Sequence, residues 1–396
     1  MLHDILERHR DELAFLWPQR AAAVHAPSFD LRTLGDLDER IEAHLDGLRI
    51  AGDAGLTLLS AALDPAEPGV VFAAAALALE VGAPRLALEP ALELASDEVA
   101  RRALVSAFGW ASFEHARPVA DALLSASTPA HRALGLAAYA AHRRDPGGAL
   151  SNALLDVDPL VRARALRAAG ELGRRDLVAD LSPALADADE ACRFWAAWSL
   201  ALLGEPTSPV LWSFITSPRF GERAAAMAAR RTDPRQALAE LESASARAEM
   251  ARAALVGAGA LGDPAAVPWI VARMEDEALA RFAGDAFTMI TGLAIEGDLV
   301  AARPPEDPEA APAGLHPDHH RAWPAPAAVA AAFRARGGEL RRGTRYLLGQ
   351  PITEGAARRV LRLGRQPQRA AAAVEQSLLS PGKPLFEVRA PAPRQG

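Results

Sequence analysis

Asp158-Pro-Leu-Val-Arg162-Ala-Arg-Ala-Leu-Arg-Ala-Ala-Gly-Glu-Leu-Gly173 is answered one repeat later by Asp189-Glu-Ala-Cys-Arg193, with Ala196, Ala197, Leu200 and Leu203-Gly204 in the matching places. The two segments read alike step by step. Asp158 can cap a helix whose first residue is Pro159, where a missing N–H costs nothing. Val161, Ala165, Leu166, Ala169 and Leu172 make one apolar stripe at helical spacing. Gly173 supplies a stop. The segment from Leu177 to Leu185, with Pro183 late in it, predicts a partner helix.

The arginine of this pattern returns through the middle of the chain at Arg102, Arg132, Arg162, Arg193, Arg223, Arg252 and Arg281, at intervals of 29 to 31 residues. A fixed period of this length means one structural unit used many times. Thr128-Pro129 and Ser217-Pro218 repeat the cap-then-proline signal, and Leu261-Gly262-Asp263-Pro264 marks another stop and restart. A cation in the first turn of a helix opposes the helix dipole, so it needs acidic company. Asp97, Asp158, Asp189, Glu249 and Asp276 lie a few positions upstream of their arginines. Arg102, Arg162, Arg193, Arg252 and Arg281, with Asp158 and Asp189, therefore read as a structural Asp–Arg ladder between repeats. Arg132 and Arg223 lack the upstream Asp and read as the freer cations, available to a partner.

The pattern Asp-x-x-Val-Arg-x-x-Ala-x-x-x-Leu-Gly resembles the HEAT repeat in its short form. The resemblance implies an all-α superhelix of antiparallel helix pairs over residues 56–295. Residues 1–55 then form a helical N-terminal cap, with one helix ending at Pro18 and a second carrying Leu34, Leu37, Ile41, Leu45 and Leu48. Residues 296–322 read as an acidic, Pro-rich loop. Residues 323–396 read as a small helical C-terminal subdomain: one helix around Val329–Phe333, one from Thr353 to Leu363, one from Gln366 to Leu379, and an extended tail that could be a strand or an arm.

Composition agrees with an all-helical chain. Of 396 residues, 50% are hydrophobic and only 5% aromatic. Alanine fills the difference, and alanine is the best helix former. The net charge of −7 and pI near 5.9 argue against a general nucleic-acid binder. Met1-Leu2-His3-Asp4-Ile5-Leu6-Glu7 lacks a signal-peptide core, and no apolar run is long enough to span a bilayer, so a cytoplasmic location is expected. Cys192 is the single cysteine, which excludes an intrachain disulfide and a Cys-based metal cluster.

No catalytic constellation stands out. A phosphate-binding loop of the Walker type and a Gly-x-Ser-x-Gly elbow are both missing. Gly257-Ala-Gly259 with Gly262 imitates a dinucleotide fingerprint, but no strand precedes it. His316, Asp318, His319 and His320 cluster in the Pro-rich stretch without a frame that would fix metal ligands. Cys192, beside Phe194 and Trp195, reads as buried and inert. Neither a metal nor a cofactor is expected. Trp195, Trp198 and Trp212 are candidates either for core filling or for a partner-binding groove. Thr344-Arg345-Tyr346 and Gln350 read either as a polar site or as a tie to the last repeat.

Phe287-Thr-Met-Ile-Thr-Gly292, Gly343-Thr-Arg-Tyr-Leu-Leu-Gly-Gln-Pro351 and Arg369-Ala-Ala-Ala-Ala373, with Leu16-Trp17-Pro-Gln-Arg20 and His44-Leu-Asp-Gly-Leu48, resemble an uncharacterised bacterial family. Its members are often encoded near type VI secretion effector genes. That implies effector loading or handling. The leading expectation is a non-enzymatic scaffold or adaptor for another protein. The alternatives are a HEAT-like enzyme, of the DNA alkylpurine glycosylase or bilin lyase type, and a purely structural module.

Overall fold

The helix that Asp158 starts runs Pro159–Glu171. Asp158 Oδ1 accepts from the Leu160 amide at 2.9 Å, and Asp189 does the same for Cys192. Asp97 caps Glu98–Trp110 in the same way. Such caps contribute about 1 kcal/mol each. Val161, Ala165, Leu166, Ala169 and Leu172 are all buried, as one stripe requires. The fold is all-α. A computed structural model describes residues 2–82, 84–301, 321–336 and 338–395. Among them the only strands are Tyr346–Leu347 and Gln350–Pro351, one antiparallel pair.

Contacts divide the chain into two compact units. One holds residues 1–195, 363–367 and 382–396. The other holds residues 196–362 and 368–381. The expected histidine cluster and most of the Pro-rich loop fall at 302–320, outside the described residues.

In the first unit the helices Leu2–Ala23, Pro68–Val81, Glu98–Trp110, Pro129–Ala141 and Pro159–Glu171 pack in succession, with Leu31–Ile50 and Phe113–Leu124 among their partners. Phe72, Leu104, Phe108 and Leu134 lie in its core. The first helix does not end at Pro18 but passes through it to Ala23. Packing outweighs the lost hydrogen bond there: Leu13, Leu16 and Trp17 are buried, and Gly69 approaches the Ala14 backbone so closely that a Cβ would lie 2.6 Å from it. The partner segment expected as one helix at Leu177–Leu185 is broken instead into a 3-10 turn, the short helix Val178–Leu181 and a second 3-10 stretch.

In the second unit Gly221–Arg231, Ala248–Leu261 and Ala280–Thr291 stack on one another, backed by Pro234–Ser245 and Val267–Arg273. Gly257 is an interior packing residue, where a Cβ would meet Leu241 at 2.5 Å. Gly257 and Gly259 thus lie inside a helix that Gly262 ends, and no strand–loop–helix turn is formed there. Ser217-Pro218 does not open a helix. Its hydroxyl caps a turn by accepting from Phe220 N, and the helix begins at Gly221.

The repeat glycines do more than stop helices. Gly262 sits at φ +75, and its carbonyl accepts from the Tyr346 amide at 2.9 Å. A Cβ on Gly262 would stand 2.2 Å from the Tyr346 oxygen. Leu348 and Gly349 donate to Met289 and Ile290 at the next helix end, at 2.7 and 3.0 Å. In the first unit Gly173, at φ +71, would place a Cβ 2.5 Å from the Gly382 oxygen, and Leu385 N donates to Glu171 O at 2.8 Å. The tail is therefore an arm laid over helix ends, not a strand, closing with a 3-10 turn at Ala392–Gln395.

Gly82 is the natural control, at φ +69 with nothing within 4 Å of a Cβ. Gly82→Ala should cost about 1 kcal/mol, the left-handed penalty alone. Gly262→Ala should cost about 3 kcal/mol or more, because the hairpin must also move. Urea unfolding of both variants checks this, and equal losses would refute the docking role of Gly262.

Candidate functional site

The arginine edge is a closed network. Arg132 donates through Nε and Nη2 to Asp156 at 2.8 and 2.9 Å, and through Nη1 to the carbonyls of Ala126 and Ser127. Arg162 repeats this with Asp187, both bonds at 3.0 Å, and with the carbonyls of Asp156 and Val157. Arg193 holds the carbonyls of Asp187 and Ala188. Each guanidinium thus clamps its own entry loop, and those of Arg132 and Arg162 also reach the next. The fork-shaped pairing is the strong form of such a bond. Arg132 hydrogen-bonds Asp156, and Arg162 hydrogen-bonds Asp187, holding both carboxyls below the usual range.

Three expectations change here. Arg132 is a ladder member, not a freer cation. Arg223 is exposed but also engages neighbouring groups. Asp158 and Asp189 cap helices, and the ladder acids are Asp156 and Asp187, two residues earlier. The register also slips at the first arginine: Arg101, not Arg102, holds the loop carbonyls of Ala95 and Ser96, while exposed Arg102 pairs with Glu98 one turn away. Farther along, the arginines stack on rings. Arg252 lies 3.9 Å from the Phe282 centroid and pairs with Glu222, and Arg281 lies 4.3 Å from that of Trp323.

The tryptophans offer little to a partner. Trp195 and Trp198 are only 8% and 7% exposed. Arg167 stacks over Trp195 at 4.6 Å. Trp212 is half-buried and donates to Thr232 Oγ1 at 3.1 Å. Cys192 is fully buried, and burial together with Asp187 pushes its thiol up to about 12.

The tail covers buried charge. Glu171 receives Arg164 and Arg167, each at 2.8 Å. Burial raises its carboxyl, but the two guanidiniums hold it well below the ordinary value. Glu387 receives Arg143 and Arg389, which overcome burial and bring it to about 2. His142 Nε2 faces the Phe108 carbonyl at 2.7 Å and Nδ1 faces Arg394 at 2.9 Å. A carbonyl only accepts and a guanidinium only donates, so the ring is neutral with its proton on Nε2. Burial lowers it to about 4.

The second unit holds a cavity of about 350 Å³. Its polar floor is Arg230, Arg231, Arg345, Thr344 and Glu375, and its rim is Pro351, Ile352, Leu378 and Leu379. Glu375 Oε1 accepts from Arg230 Nε at 2.8 Å and from Arg345 Nη2 at 2.6 Å. Arg230 is buried, and burial lowers its pKa with help from the like charge of Arg345. Arg345 also donates to the carbonyls of Leu261 and Ala260. Arg231 donates to the Gly204 carbonyl at 2.9 Å, while its Nε is buried with no partner. Two guanidiniums thus meet one carboxylate, and a third, that of Arg231, lines the same cavity. Of the residues singled out in the sequence, Thr344 and Arg345 lie here. Tyr346 is buried; its phenol oxygen accepts from the Arg341 amide at 3.0 Å within its own segment, and its amide ties the hairpin to the Gly262 carbonyl. Arg230, Arg231 and Glu375 escape sequence reading because the pairing joins positions 145 apart.

Among the described residues no group of three or more His, Cys, Asp or Glu is placed to hold a metal ion, and no helix is long and apolar enough to cross a membrane. HEAT repeats match residues 148–231. No curated protein matches the chain. A solved structure of an engineered protein is similar over 94% of this chain and 99% of its own, at 15% identity and a TM-score of 0.32. The repeat match and the helical architecture together make the fold a HEAT-like solenoid. Such a fold is consistent with protein binding, and neither comparison names an enzyme family.

Asp156 and Asp187 titrate lower in the folded chain than when unfolded. Their stabilisation is therefore full above the unfolded value of 3.8 and is lost as pH falls through the folded value. Asp156→Asn with Asp187→Asn should cost about 2–5 kcal/mol at pH 7. The deficit relative to wild type should shrink as the pH falls below the unfolded value of 3.8. Denaturant unfolding across that range checks it, and a deficit independent of pH would contradict the ladder.

Proposed function

We propose that this chain is a non-enzymatic scaffold that binds another protein. The observation that carries the reading is the repeat stack with its helix ends already satisfied from within. The arginine edge is occupied by Asp156, Asp187 and loop carbonyls. The glycine edge is occupied by the hairpin and the tail. What the repeats then offer a partner is the long faces of the helices and the cation-rich cavity between them and the hairpin. Repeat arrays use such surfaces for recognition. The residues expected to serve a partner are reassigned accordingly: Arg345 stays, while Arg132, Trp195, Trp198 and Tyr346 support the frame.

The resemblance of Gly343–Pro351 and its companion segments supports a narrower reading. It points to a type VI secretion effector, or the adaptor of one, as the bound protein. The role would be loading, chaperoning or immunity.

An affinity pull-down of the tagged full chain from its native lysate tests the scaffold reading. The expected result is one protein retained at near one-to-one stoichiometry and lost on competition with untagged chain. A secretion effector or adaptor in that position would support the narrower reading. Retained DNA or a bound chromophore, with no protein at stoichiometric level, would overturn the scaffold reading in favour of an enzyme.

A further inference from the structure

We propose that the cavity of the second unit is a carboxylate-recognition pocket, and that it takes from the bound protein a carboxylate carried beside an apolar side chain. The inference rests on the scaffold reading and deepens it. Four observations converge. The floor carries Arg230, Arg231 and Arg345 against Glu375 alone, a surplus of two positive charges in a half-enclosed space. Arg231 lines the cavity with only part of its guanidinium engaged, Nη2 on the Gly204 carbonyl and Nε buried without a partner. Glu375 already displays the mode of binding, with one carboxylate oxygen shared between two guanidiniums. The rim is apolar, and Leu379 on it is 43% exposed.

Desolvated like charges repel, and an incoming anion removes that repulsion. Guanidinium forks match a carboxylate geometrically. The apolar rim gives the anion a side chain to pack beside it, which a bare inorganic ion cannot use. A dianionic phosphate would also face the standing charge of Glu375. The cavity, at about 350 Å³, is at the small end of ligand pockets and suits one or two residues of a peptide. Two sources supply this chemistry: a chain terminus ending in an apolar residue, and an Asp or Glu side chain next to one.

The test is fluorescence anisotropy of labelled pentapeptides with the full chain. One pair ends in Leu-Leu, as free acid and as amide. A second pair is capped at both ends and carries Glu-Leu or Gln-Leu internally. A phosphoserine peptide completes the set. Tighter binding of the free acid than of the amide, by about tenfold or more, supports the pocket with a chain terminus as ligand. The same preference for Glu over Gln supports it with a side chain as ligand. Arg231→Gln and Leu379→Glu should each weaken the preferred peptide by about tenfold. Leu379→Glu alters an exposed rim position and leaves the Arg230–Glu375–Arg345 cluster whole, so its thermal unfolding should match wild type.

Equal binding of acid and amide and of Glu and Gln would overturn the inference, as would tighter binding of the phosphopeptide. If the protein retained in the pull-down binds wild type and Leu379→Glu equally, the pocket inference fails and the scaffold reading stands. If neither that protein nor any peptide binds, both fail.

Discussion

Every α-helix ends in carbonyls that its own residues cannot satisfy, and a stack of short helices multiplies the problem. This chain meets it with segments that come after the repeats in sequence. In one unit the Tyr346–Pro351 hairpin donates amides to Gly262, Met289 and Ile290. In the other, the stretch from Gly382 lies against Gly173 and donates to Glu171, while Arg394 reaches the Gly109 carbonyl. The approach is close enough that only glycine fits at Gly173 and Gly262. The Leu-Gly step is thus both a helix stop and a docking point.

The opposite edge is held by charge. In the first unit Arg101, Arg132, Arg162 and Arg193 each take two loop carbonyls, and Arg132 and Arg162 also take the Asp that follows one repeat later. Helix N-termini disfavour cations, so the arrangement stands only because each arginine lies within a fork of acceptors. The same chemistry without full compensation appears at Arg230, Arg231 and Arg345.

Much of the frame was legible from local pattern. The Asp158-Pro159 start, the Gly173 stop, the helix at Gln366–Leu379 and the burial of Cys192 follow from residue type and spacing. The identity of the ladder acids was also present as Asp156-Val-Asp158 and Asp187-Ala-Asp189, but capping and pairing use the same residue type, and spacing alone assigned the wrong one. Pro18 misled because helix-breaking is a local rule, and the packing of Gly69 on Ala14 is not local. The cavity was invisible for a related reason. Glu375 meets Arg230 and Arg345 across long stretches of chain, and no periodicity records such a meeting.

The central claim is that late segments satisfy the carbonyl ends of the repeat helices. Hydrogen–deuterium exchange resolved to single amides tests it most directly. The account predicts that the amides of Tyr346, Leu348, Gly349 and Leu385, though outside helices, exchange as slowly as those of the helices they dock on. Exchange of these four amides at the rate of exposed loops would contradict it.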